Sequence, residues 1–172
     1  MAYPFKFSDG SEVTITPTGY GLKTSSGFSF TSMIVTHIYT EPEIKDSLYV
    51  LSVDPSNSAS KCSMHRFNKD SSKVEAFNLE KCPFDSQDSK ILAVAEVTSG
   101  LYDAVIWDGS KLYSFKNNLF QAEINLQYTD DDLQFEEPTA FLNQTQSHVV
   151  VVSRPVGYVS TFHSAKYDLS TG

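Results

Sequence analysis

The chain predicts an all-β fold, an antiparallel meander of four-stranded units, on three observations. Five stretches, 34–38, 48–53, 91–97, 104–107 and 149–152, show carbon on both sides of a period-2 alternation. A strand of that kind must be covered on both faces, so sheet has to stack on sheet. Hydrophobic residues make up 40% and aromatics 13%, with twelve Phe and nine Tyr, the side chains that fit a pleated, buried surface. Turn signals such as Asp9-Gly10 and Asp108-Gly109 separate these stretches at hairpin spacing.

Taken in order, strands are expected at 4–8 and 11–16 around Asp9-Gly10, with Asp and Gly as the two central residues of a type I′ turn. A short strand follows at 20–23, and 28–39 reads as one long strand or two short ones. Thr40-Glu41-Pro42-Glu43 has a capping-box pattern that predicts a helical turn over 41–46. Strands at 48–53 and 62–67 flank the polar loop 54–60. Ser72-Lys73-Val74-Glu75 is a second capping box, which leaves 73–80 open between a short helix and a strand. Strands at 91–97, 101–107, 111–115 and 119–126 come next, and Thr129-Asp130-Asp131-Asp132 carries a third helix-start signature ahead of Pro138. The last strands are expected at 139–142, 148–153, 158–162 and 165–169.

Three stretches, starting near Met33, Ile91 and Thr139, share one plan of apolar strand, apolar strand, tight turn, aromatic strand and outer strand. The first 30 residues supply an abbreviated fourth. Such units fit a small β-propeller-like arrangement, with a β-sandwich or barrel as the alternative. In the third unit, Asp103-Ala104-Val105-Ile106-Trp107 followed by Lys111-Leu112-Tyr113-Ser114-Phe115-Lys116 resembles the repeat of hemopexin-type propellers, and the segment from Tyr158 to Tyr167 is a fainter echo. The resemblance covers about 14 residues well. It implies a binding module whose central channel accepts an ion or a small ligand. The end-to-end cysteine pair of that family is absent, since Cys62 and Cys82 lie mid-chain.

At 172 residues the chain suits one domain, 1–172, large enough to fold on its own core. Thirteen Lys and Arg against twenty-one Asp and Glu leave a net charge of −8. No segment carries more than two adjacent basic residues, so neither nucleic acid nor a membrane surface is the expected partner. A protein or a small ligand fits better, with glycans, basic peptides and ions as the classes to test. The N-terminal segment 1–7 has no apolar core of a secretory signal, which reads as a cytoplasmic chain. Cys62 and Cys82 make no disulfide framework and are read as reduced, with pairing as the alternative.

Six residues stand out as candidates for binding. Trp107 and Tyr102 lie in an aromatic cluster beside the carboxylates of Asp103 and Asp108, a combination used to hold sugars and peptides. Alternation sends Trp107 and Tyr102 to opposite faces, so at least one belongs to the core. Glu96 sits on an apolar strand, where burial would raise its pKa, and His37 stands among carbon neighbours as a ligand or a core imidazole. Cys62 and His65 lack the further ligands that zinc requires, and Asp130–Asp132 lack an EF-hand pattern, so no metal or other cofactor is expected. No catalytic triad, phosphate loop or zinc-protease motif occurs. The reading is a non-catalytic binding or interaction module, with a carboxylate hydrolase or isomerase using Glu96 or Asp130–Asp132, and a structural or virion-like block, as alternatives.

Overall fold

A computed structural model describes residues 3–40, 47–58, 60–68, 71–126, 136–143, 148–157 and 162–172. The described residues form strands and no helix. The first sheet holds β1 (Tyr3–Lys6), β2 (Glu12–Thr16), β3 (Gly19–Thr24) and β4 (Gly27–Ser32), and the second β5 (Val35–Thr40), β6 (Ser47–Val53), β7 (Cys62–Asn68) and β8 (Ser71–Leu79). The third holds β9 (Lys90–Thr98), β10 (Leu101–Trp107), β11 (Leu112–Lys116) and β12 (Leu119–Ile124). The fourth shows β13 (Thr139–Asn143), β14 (His148–Ser153) and β15 (His163–Asp168). Each sheet is an antiparallel meander in sequence order, and β5, β9 and β13 lie side by side, so the sheets fan like blades about their first strands.

The stack has three cores, each between consecutive sheets. Val13 and Ile15 of the first sheet meet Leu48, Val50 and Phe67 of the second. On the other face of the second sheet, Tyr49, Leu51, Val53 and Met64 meet Tyr102, Ala104, Ile106 and Phe115 of the third. Val105, Trp107 and Leu112 then meet Ala140, Val149, Val151 and Tyr167 of the fourth. All seven residues of β6 are buried. Its two-faced apolar run is used in full, and each large side chain removed from water there contributes about 1.5–3 kcal/mol.

Several expectations change in detail. The span 28–39 is two strands, β4 and β5. Residues 73–80 follow strand β8, not a helix, because pairing with β7 satisfies their backbone while Phe77 and Leu79 enter the second core. The opening unit is a complete four-stranded sheet, not an abbreviated one. The turn at Asp108-Gly109 centres one residue later: the Asp108 N–H donates to the Lys111 carbonyl at 3.1 Å, and of the two central residues only Gly109, at φ 102°, has positive φ. That is the glycine-first hairpin geometry, with the Asp108 carboxylate capping the N–H groups of Ser110 and Lys111 at 2.9 and 2.7 Å. Near Gly10 the loop likewise runs over 7–11, closed by the Phe7 N–H to the Ser11 carbonyl at 2.8 Å. The type I′ geometry occurs instead at Asn117-Asn118, with φ of 51° and 65°. The helical turns expected at 41–46 and after Asp130, and most of the strand at 158–162, lie outside the described residues.

The cysteines, expected reduced, are joined. With Lys81 in the left-handed region (φ 55°), the chain leaves β8 so that Cys82 reaches Cys62 at a Cα–Cα distance of 5.9 Å, and the bond lies buried in the second core. The same segment clips the second sheet to the third, through the Glu80 N–H to the Asn118 carbonyl at 2.7 Å and the Phe120 N–H to the Glu80 carbonyl at 2.9 Å. Reduction should lower unfolding stability by roughly 3 kcal/mol, as expected for a closed loop of this length. Urea unfolding with and without reductant, after counting free thiols, checks this, and an unchanged midpoint with both thiols free would contradict it.

Candidate functional site

Residues at the entry ends of β5, β9 and β13 gather on one side of the molecule. There a cleft of about 510 Å³ opens between the second, third and fourth sheets, lined by Thr36, Asp88, Lys90, Trp107, Gly109 and Glu137 among others. Each side chain has a local reason to be there. Thr36 lies where β5 slips register against β6, between Val35 and His37. Lys90 opens β9, Trp107 closes β10, and Glu137 precedes β13. Strand ends cannot be covered by neighbouring sheets, so polar groups collect at this rim while the apolar middles are buried. The Lys90 ammonium pairs with the Glu137 carboxylate at 2.9 Å, both side chains nearly half exposed. The Thr36 hydroxyl is buried and has no hydrogen-bond partner among the described residues.

Behind this rim, His37 Nδ1 accepts the Ile91 N–H at 3.1 Å, tying β5 to β9. Burial pushes the His37 pKa below its ordinary 6.5, the Lys90 charge adds to that, and Glu137 opposes it. His65, against Tyr20 at the first core, is lowered by burial alone.

A second polar cluster lies at the opposite ends of β9 and β10, between the second and third sheets. Arg66 Nη1 donates to Glu96 Oε2 at 2.6 Å and to the Tyr102 hydroxyl at 3.0 Å, and that hydroxyl donates to Glu75 Oε2 at 2.8 Å. The guanidinium also lies over the Tyr49 and Tyr102 rings at 6.0 and 5.8 Å, and Tyr102 stacks on Phe77 at 4.5 Å. Burial works against the Arg66 charge, but the hydrogen bond to Tyr102 and the Glu96 carboxylate more than offset it and raise the Arg66 pKa. Burial and the bond to Glu75 raise that of Tyr102. This network ties two sheets together.

The six residues singled out in the sequence therefore separate. Trp107 borders the cleft yet is only 4% exposed and packs in the third core. His37 lies just behind the cleft. Tyr102 is fully buried in the Arg66 cluster with Glu96. The Asp103 carboxylate accepts the Asn117 N–H at 3.0 Å, and Asp108 caps its hairpin and accepts the Tyr113 hydroxyl at 2.9 Å. Arg66, Lys90 and Thr36 carry no motif that marks them in the sequence, and Glu137 stands out there only as part of the acidic patch with Asp130–Asp132 and Glu136, because each owes its place at these clusters to packing between sheets distant in sequence. The one local signal was a charge at a strand start, at Lys90. Among the described residues, no three His, Cys, Asp or Glu side chains are grouped to hold a metal ion.

Compared with protein-family models the sequence matches none, and compared with curated proteins it likewise matches none. Among solved structures, YCF48 from Cyanidioschyzon merolae is similar at 11% identity and a TM-score of 0.40, over 96% of this chain and 49% of that one. The extracellular domain of a putative one-component system from B. thetaiotaomicron is similar at 12% identity and a TM-score of 0.34, over 97% and 26%. The chain thus spans about half or less of the structures it resembles, and at such identities no residue role passes to it.

Two outcomes follow from these clusters. Replacing Arg66 with Met strands Glu75 and Glu96 beside a buried phenol, and should cost about 2 kcal/mol, less than for a fully buried pair because both carboxylates reach water; a cost of a few tenths in urea unfolding would contradict the tie between sheets. His37 and His65 are held neutral, so their contribution is complete above pH 6.5 and is lost as pH falls through their lower folded-state values. The thermal midpoint should therefore drop as pH is taken from neutral to below 6.5, before the window of Asp108, whose pKa lies below its ordinary 3.8, is reached. A flat midpoint over that range would contradict it.

Proposed function

We propose that this chain is a non-catalytic binding module that receives a protein segment or a small polar ligand in the cleft at the entry ends of β5, β9 and β13. One observation carries the reading. Three sheets deliver to one cleft an aromatic ring, an ammonium–carboxylate pair, a further carboxylate at Asp88 and a buried hydroxyl without a partner among the described residues. Its volume falls within the range of small-molecule sites, roughly 300–1,000 Å³. An amide or sugar hydroxyl could bond Thr36 and Asp88 there while its carbon face rests near Trp107. The resemblance of 103–116 to hemopexin-type repeats supports a binder, and the disulfide suits an oxidising compartment better than the cytoplasm read from the N-terminus. No observation favours the carboxylate enzyme: Glu96 is engaged by Arg66, and Asp130–Asp132 lie outside the described residues.

Trp107 is the sole tryptophan and borders the cleft, so native fluorescence reports on its occupancy. Titration with glycans and with short basic and acidic peptides should produce a saturable change for one class. Lys90→Ala combined with Glu137→Ala should then weaken it about tenfold or more. The unfolding midpoint should hold, since both side chains are nearly half exposed. Equal affinity in the double variant would place binding elsewhere, and no response from any class would count against a small-ligand or peptide cleft.

A further inference from the structure

Each end of the sheet stack carries an apolar patch that nothing in the described chain covers, set among polar side chains such as Glu12 and Lys23 on the first sheet and His148 and Lys166 on the fourth. In the first sheet, Val13, Ile15, Tyr20 and Leu22 face the first core. The opposite face carries Phe28 and Phe30, which are 70% and 54% exposed. Their rings lie across glycines: a Cβ at Gly21 would come within 2.7 Å of the Phe28 ring, and one at Gly19 within 2.9 Å of the Phe30 ring. Glycine at 21 leaves room for the Phe28 ring to lie over β3, whereas at Gly19 the Thr31 carbonyl oxygen stands closer to such a Cβ than the Phe30 ring does and requires glycine first. In the fourth sheet, Ala140, Val149 and Val151 face the third sheet, whereas Phe141 and its register partner Val150 point away, 58% and 37% exposed. Phe162, 65% exposed, lies beside Val152 and Thr139 of the same outer face. Of nine large hydrophobics that are exposed among the described residues, five thus sit on these two ends.

The valine run of β14 carries carbon on both faces, as β6 does, yet only one of its faces is buried. Within the chain every junction has one sense: the trailing face of a sheet meets the leading face of the next. The two faces left over are the leading face of the first sheet and the trailing face of the fourth, the pair that the same rule would join.

We propose that two copies of this chain associate head to tail, the fourth sheet of each packing on the first sheet of the other, to close a ring of eight blades. Eight is within the range that blade-like sheets form around an axis. A face three or four strands wide and six residues long measures roughly 14–19 Å by 20 Å. Four such faces in two junctions amount to roughly 1,100–1,500 Å², near the size of a specific interface. Each junction joins two different faces, and closure after two copies makes the pair of junctions equivalent about a two-fold axis, the first sheet of each copy meeting the fourth of the other.

Light scattering after size-exclusion chromatography, across a concentration series, should show a dimer. Phe28→Ser with Phe30→Ser should make the protein monomeric, and so should Phe141→Ser with Val150→Ser, since either pair damages both junctions. These side chains are exposed in the single chain, so circular dichroism should show both variants folded. Mixing the two variants should restore a weaker dimer, because one intact junction then survives. A monomeric wild-type protein at every concentration would overturn the proposal. So would a dimer that tolerates one pair of substitutions, or a mixture that stays monomeric, because these mark like-on-like pairing or a partner other than a second copy.

Discussion

Burial of both faces of the two middle sheets is the constraint on which the rest of the molecule depends. A strand such as β6, with Leu48 and Val50 on one side and Tyr49, Leu51 and Val53 on the other, gains its full transfer free energy only if sheets lie on both sides of it. The first and third sheets supply those surfaces, and β10 repeats the arrangement one layer on, with Tyr102, Ala104 and Ile106 against the second sheet and Val105 and Trp107 against the fourth. Backbone polar groups are satisfied inside each meander. The contacts between sheets can therefore be almost wholly apolar, and the few polar ties between them stand out.

Those ties fall at the ends of the strands. At the entry end, His37 accepts the Ile91 N–H, which fixes the spacing of β5 and β9 and so the floor of the cleft. At the far end, Arg66, Glu96 and Tyr102 link the second and third sheets, and the Asn117-Asn118 turn is held by Asp103 and by the Tyr102 backbone at 2.9 Å. The outer edge is joined by Glu80 and by the Cys62–Cys82 bond. The two walls of the cleft that the second and third sheets supply are thus anchored at both ends and at the outer edge, and have little freedom to close on one another. A ligand there would be selected by a preformed shape, and the entropy of ordering would be small.

Much of this architecture was legible in the sequence, for reasons that differ by element. β10 was read with its observed bounds because its aromatic and β-branched residues are flanked by turn residues on both sides. β8 was ambiguous because Val74 and Phe77 satisfy helical spacing as well as strand pairing, and only the presence of β7 decides between them. The Asp108-Gly109 signal points one residue ahead of the observed turn centre, because Asp is favoured both inside a turn and just before it, where its carboxylate can cap two N–H groups. The cleft was the least legible part. Thr36, Lys90, Trp107 and Glu137 span a hundred residues of chain and meet only because three sheets share an axis, a relation that no local pattern encodes. Trp107 was singled out for its chemistry and Glu96 for its setting, yet inter-sheet packing put one at the cleft and the other in an ion pair.

Alternation itself distinguishes a sheet that ends a stack from one that continues it. β2 reads Glu-Val-Thr-Ile-Thr, with Val13 and Ile15 inward and Glu12 and Thr14 outward, so this half of the outer face is polar and the apolar part of it lies with Phe28 and Phe30 on β4. β14 reads His-Val-Val-Val-Val-Ser, and of its outward residues only His148 is polar, while Val150 is 37% exposed. A strand that no longer needs cover can trade valine for threonine at almost no cost in strand preference, since both are β-branched. The valines at 150 and 152, with Phe141 beside them, are then best understood as residues kept for contact with another apolar surface, and the same argument applies to Phe28 and Phe30 on a sheet whose other outward positions are polar or glycine.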